Sequence, residues 1–71
     1  MKDKVKTQNE LVLAVLKMGG RLTQLEALRR FGIMRLASRV NDLKRRGWPI
    51  RKTMVSTPGG SNVAEYWMEV E

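Results

Sequence analysis

The residues of this chain most capable of chemistry are basic. Between Arg29 and Lys52 stand Arg29, Arg30, Arg35, Arg39, Lys44, Arg45, Arg46, Arg51 and Lys52 against a single acid, Asp42, while the rest of the chain is nearly neutral. A formal charge of +7 spread evenly over 71 residues would speak only of solubility. Concentrated in one stretch, it describes a face for a polyanion, and nucleic acid is the first polyanion to consider. The chemistry on offer is electrostatic and hydrogen-bonding. Ammonium and guanidinium groups neutralise phosphates, and Arg pairs bidentately with N7 and O6 of guanine. With no cysteine and no histidine, the sequence lacks disulfides, the common zinc spacings and thiol or imidazole catalysis. No pair of carboxylates has a spacing suited to acid–base work, so no enzyme activity, metal or cofactor is expected.

The elements that must position this charge share one core, because 71 residues lie near the lower limit for a chain that folds alone. Residues 1–6 read as a flexible charged tail and residues 7–71 as a single domain. Thr7 and Glu10 have the spacing of a capping box, which opens a helix running to a stop at Gly19-Gly20. That helix is apolar around almost its whole circumference. Leu11, Ala14, Val15 and Met18 are its expected inner face, flanked by Val12 and Leu16, with Leu13 outermost. Arg21-Leu22 leaves room for a short β bridge. Thr23 and Glu26 repeat the capping box for a second, short helix with Ala27 and Leu28 inward and Phe31-Gly32 at its end. Ile33, Leu36, Val40 and Leu43 make the inner stripe of a third helix, expected over 33–46 with Gly47 as its stop. Past Pro49 the pattern turns extended: a strand over 50–57, a turn over 58–62 and a strand over 63–70 form a hairpin, with Ala64, Tyr66 and Met68 facing inward. Trp48 and Trp67 read as packing residues.

At about 100° per residue from Ile33, the outer face of the third helix carries Arg35, Ser38, Asp42 and Arg45, flanked by Met34, Arg39 and Arg46. A major groove about 12 Å wide admits such a helix. Arg35, Ser38 and Arg39 are the candidates for reading base edges. Arg45 and Arg46, at the helix end, are expected beside phosphates, as are Arg29, Arg30, Arg51 and Lys52. The helix dipole alone also accounts for Lys44, Arg45 and Arg46, because cations are favoured in a last turn.

The order helix, bridge, helix, turn, helix, hairpin resembles a winged helix-turn-helix domain, an α+β fold of three helices followed by a β-hairpin wing. The run from Thr23 to Ile50, TQLEALRRFGIMRLASRVNDLKRRGWPI, is similar to the small helix-turn-helix DNA-binding proteins common in bacteriophage and prophage genomes. The resemblance implies a protein that binds double-stranded DNA sequence-specifically, with 33–46 as the recognition helix in the major groove. It further implies a transcriptional regulator or a DNA-architectural or excision accessory factor of phage or bacterial origin. One departure concerns the wing. Wings that enter the minor groove carry Arg or Lys near the tip, whereas no charged residue occurs from Thr53 to Ala64.

A reading of a different class is a phage-type interaction module that grips and modulates a host nucleic-acid enzyme through Leu13, Met34 and the wing, since basic charge serves an acidic protein as well as DNA. No heptad or separate dimerisation element is present, and a homodimer and a protein partner both stay open. The longest apolar run, Leu11 to Leu16, is far short of the ~20 residues that cross a bilayer, and the N-terminus has no signal-peptide core. The expectation is a cytoplasmic, nucleoid-associated protein without a membrane or small-molecule ligand.

Overall fold

The computed structural model describes residues 7–69; the expected tail over 1–6, and Val70 at the expected end of the last strand, lie outside the described residues. Thr7 caps α1 (Gln8–Lys17): its hydroxyl accepts from the Glu10 amide at 3.2 Å, and the Glu10 carboxylate accepts from the Thr7 amide at 2.8 Å. The two-residue strand β1 (Leu22–Thr23) follows, and Thr23 with Glu26 builds the same reciprocal cap on α2 (Gln24–Phe31). Each cap satisfies two amides that a helix start would otherwise leave unpaired. Gly32, at φ 70°, ends α2; its amide and that of Ile33 donate back to the Leu28 and Ala27 carbonyls. This closure needs a left-handed residue, which glycine supplies without a Cβ clash. Then come α3 (Leu36–Arg45), β2 (Ile50–Ser56) and β3 (Asn62–Met68).

The strands form one antiparallel sheet in the order β1-β3-β2, so the last strand of the hairpin sits in the middle and ties the wing to the helices. Register runs from Ile50 opposite Met68 to Ser56 opposite Asn62, and Leu22 lies opposite Tyr66. Alternation therefore places Leu22, Tyr66, Met68, Ile50 and Lys52 on the helix side, and Glu65, Trp67, Arg51 and Thr53 on the outer side. The core draws on every element: Val12, Leu16, Leu22, Ala27, Ile33, Leu36, Val40, Leu43, Ile50 and Met68 are buried, with Leu13, Val15, Phe31, Trp48 and Tyr66 packed against them.

Several expectations are corrected. In α1 the buried residues are Val12 and Leu16, Leu13 packs against the core, and Met18 is 86% exposed because it caps the helix rather than continuing it. An all-apolar helix carries little information about its own rotation. Here the polar Asn9 marks the side turned to α3, where its amide donates to Asp42 at 3.5 Å. In α2 only Ala27 is buried, with Phe31 packed against the core one turn on, and Leu28 turns outward to 45% exposure. The recognition helix expected over 33–46 is shorter. Ile33 is buried but belongs to the turn, and Arg35 has φ −133° and ψ 70°, so helical geometry begins only at Leu36; Arg46 is the C-cap and Gly47, at φ 100°, turns the chain away. The strand expected to continue to Val70 ends at Met68 within the described residues.

Candidate nucleic-acid interface

The position of α3 is set by a side chain from α2. Gln24 donates its Nε2 to the Ile33 carbonyl at 2.7 Å and accepts at Oε1 from the Leu36 amide at 2.8 Å. Leu36 is the first residue of α3, whose amide has no partner within the helix, and Arg35 makes no side-chain cap. Gln24 thus caps α3 from a neighbouring element and fixes the angle between the two helices. Nothing in the residues around Gln24 marked it for this role, because its partners are nine and twelve positions away.

Leu36, Val40 and Leu43 define the buried line of α3. Because Ile33 is not on the helix, the exposed face is rotated from the one counted from Ile33. Ala37, Asn41, Lys44 and Arg45 are exposed, while Ser38, Arg39 and Asp42 are partly buried. Arg39 Nη2 lies 3.3 Å from Asp42 Oδ2, with both side chains about one-third exposed, and Asn9 reaches the same oxygen from α1. Of the three base-reading candidates, Arg35 stands exposed at the entry to α3, Ser38 is partly buried, and Arg39 is engaged with Asp42.

A concave groove of about 240 Å³ separates α3 from the hairpin base. Ala37, Val40, Asn41 and Lys44 of α3 line it together with Ile50, Arg51 and Lys52 of β2 and Tyr66 of β3. Lys52 pairs with Tyr66 across the strands and so faces the helix side, where it lines the same groove as Lys44. Asn41 and Lys44 did not figure among the sequence candidates; an outer pole set opposite the whole line of Leu36, Val40 and Leu43, rather than opposite Ile33, lies about 50° from Asn41 instead of about 100°.

The remaining phosphate candidates are dispersed. Arg45 and Arg46 are exposed at the far end of α3. Arg29 is exposed in the last turn of α2; its neighbour Arg30 lies over the Phe31 ring at 5.1 Å and borders a second hollow with Val15, Met18 and Gly20. Arg51 belongs to the outer sheet face, 3.8 Å from Glu69 and 5.8 Å from the Trp67 ring centre. At the wing tip the polar groups serve the turn. Thr57 Oγ1 accepts from the Ser61 amide at 3.2 Å, and Ser56 donates to Asn62 at 3.2 Å. Among the described residues no cluster of His, Cys, Asp and Glu could hold a metal ion, and no helix is long and apolar enough to cross a membrane.

A family model described as a winged helix-turn-helix domain matches residues 7–71, and the chain belongs to that family. Membership supports a DNA-binding protein in general. No curated protein and no solved structure matches the chain.

Proposed function

We propose that this winged helix-turn-helix protein binds duplex DNA sequence-specifically, with α3 in the major groove, as a transcriptional regulator or a DNA-architectural or excision accessory factor of phage or bacterial origin. The observation that carries this reading is the last turn of α3, where Lys44, Arg45 and the C-cap Arg46 project into solvent with no acidic partner among the described residues. Cations left uncompensated at a helix end bordering a groove suit phosphate contact, each releasing about one counterion. Arg35 enters the groove first and reads base edges with Ser38. Arg39 takes a smaller share because its guanidinium already holds Asp42. Phosphates fall to Arg29, Arg45, Arg46 and Lys52, joined by Lys44, with Arg30 and Arg51 at the margins. Selection of bound duplexes from a random pool tests this. Recovery of a recurrent motif supports base reading, and recovery of an unenriched pool would leave only electrostatic, sequence-independent binding.

A second reading is favoured by the exposed apolar residues Leu25, Leu28 and Met34 on α2 and the following turn. They suit a protein contact of the host-enzyme kind. A nuclease-treated bacterial lysate separates the two readings: a stoichiometric partner that survives about 0.5 M salt, where charge contacts are screened, supports the protein contact. Loss of every partner supports DNA alone.

A further inference from the structure

Resting on the proposed docking of α3 in a major groove, we infer that Asn41 is a specificity-determining residue that reads adenine, so that the target holds an A·T pair opposite the middle of α3. Asn41 lies in the second half of α3 (Leu36–Arg45), is exposed, and lines the groove between that helix and the hairpin. It sits about 130° round the helix from the centre of the buried line of Leu36, Val40 and Leu43. The residue does nothing for the helix. Asn has lower helix propensity than Ala, because its amide competes for backbone hydrogen bonds, and at this interior position it caps neither end. The neighbouring polar residues have structural work: Asp42 holds Arg39 and receives Asn9. Asn41 is therefore the short polar residue left facing outward.

The distribution of side-chain length along the exposed face points the same way. Between Arg35 at the entry and Lys44, Arg45 and Arg46 at the far end it carries the short side chains of Ala37, Ser38 and Asn41, and the one long side chain in that interval, Arg39, is held by Asp42. A short amide reaches a base edge only if the helix backbone sinks deeply into the groove, and small residues at the middle permit that approach. Long basic side chains at both ends span the distance back to the phosphates. At that depth the Asn41 Oδ1 accepts from adenine N6–H while its Nδ2 donates to N7, a pairing that no other base offers in the major groove.

The test compares wild type, Asn41→Ala and Arg45→Ala in selection from a random duplex pool, followed by binding to the wild-type motif and to a scrambled duplex. Asn41→Ala should lose about 5- to 150-fold on the motif and little on the scrambled duplex, and its own selected pool should lose the preference for A·T at one position. Arg45→Ala should weaken both duplexes alike. The thermal midpoint of Asn41→Ala should be no lower than wild type, since Ala is the better helix former, which separates lost recognition from lost folding. Replacing the implicated adenine by 7-deazaadenine removes the N7 acceptor; wild type should weaken on it and Asn41→Ala should be indifferent. A motif that survives Asn41→Ala at every position overturns the inference and leaves the proposed function standing. A wild-type pool with no motif overturns base reading, and the role of Asn41 with it.

Discussion

On the outer face of the sheet Arg21 and Arg51 lie over the Trp67 ring at 4.9 and 5.8 Å and meet Glu65 and Glu69 at 3.2 and 3.8 Å, whereas the last turn of α3 sends Lys44, Arg45 and Arg46 outward without an acid in reach among the described residues. The two faces use the same kind of side chain. Adjacent strands bring residues far apart in sequence side by side, so Arg21 from before β1 finds Glu65 on β3 and its field is locally cancelled. The end of α3 has no such neighbour, and its own sequence supplies only Asp42, which Arg39 occupies. A count of positive charge therefore overstates the binding face. Charge that attracts a polyanion is charge the fold has left uncompensated, and on this side of the molecule that is Arg35 and the end of α3, with Lys52 across the groove and Arg29 and Arg30 at the end of α2.

The largest effect that would break this contrast is on DNA affinity. Arg45→Ala with Arg46→Ala should flatten the salt dependence of binding by about two units and weaken binding to all sequences on the order of 50-fold at 0.1 M salt. Arg21→Ala with Arg51→Ala, which removes the same formal charge from the sheet, should leave the salt slope within about half a unit of wild type. Fluorescence anisotropy on a labelled duplex across a salt series reads both. Equal losses from the two pairs would mean that compensation by Glu65 and Glu69 does not matter and that only net charge does.

What the sequence disclosed and what it withheld divide along the range of the interactions. Both capping boxes, the turn at Gly32 and the stop at Gly47 are encoded within four or five residues, and each stands where its local chemistry required. The hairpin faces were likewise legible, because Glu65 on β3 and Glu69 just after it fall on the side away from Tyr66 and Met68. The rotation of α1 was not legible, since a helix apolar on all sides gives no preferred face until α3 packs on it. Ile33 misled for a related reason: it is apolar and correctly spaced for a helix, yet it is buried from a turn. The site inherited that error, because an outer pole set opposite Ile33 put Asp42 outermost, with Arg39 on the flank, and passed over Asn41. Gln24 joins backbone groups nine and twelve residues away, and nothing local marks it as a clamp.

Gln24→Ala sharpens the contrast from the side of positioning. It leaves the Ile33 carbonyl and the Leu36 amide without their partner in a partly buried turn, and should cost about 1 to 3 kcal/mol of stability in chemical denaturation. It should also lower affinity for specific DNA more than for random DNA, because the entry angle of α3 loosens while every charge remains. A smaller effect is expected on the sheet. The Trp67 indole donates to Thr53 Oγ1 at 2.9 Å, and Thr53→Val, which removes that acceptor at an exposed site, should cost about 0.5 to 1.5 kcal/mol with no change in DNA binding. A loss of DNA affinity in Thr53→Val would place the outer face in the interface after all.

The smallest effect separates the two attractions that hold Arg21. Its ion pair with Glu65 joins side chains 51% and 23% exposed, a setting in which such pairs are worth about 0.2 to 1 kcal/mol. Its position over Trp67 adds a cation–π attraction on the order of 0.5 to 1 kcal/mol. The two differ in their response to salt. At 1 M salt the screening length falls to about 3 Å, so the coupling between Arg21→Ala and Glu65→Ala in a double-mutant cycle should vanish. Contact of the flat guanidinium with the ring is less sensitive to screening, and part of the Arg21→Ala cost should persist. Arg21→Lys keeps the charge and gives up the planar stacking, so it should retain the coupling to Glu65 at low salt and lose the salt-resistant part. If the whole cost of Arg21→Ala disappears at 1 M salt, Trp67 contributes nothing to holding the cation, and the neutrality of the outer face rests on Glu65 and Glu69 alone.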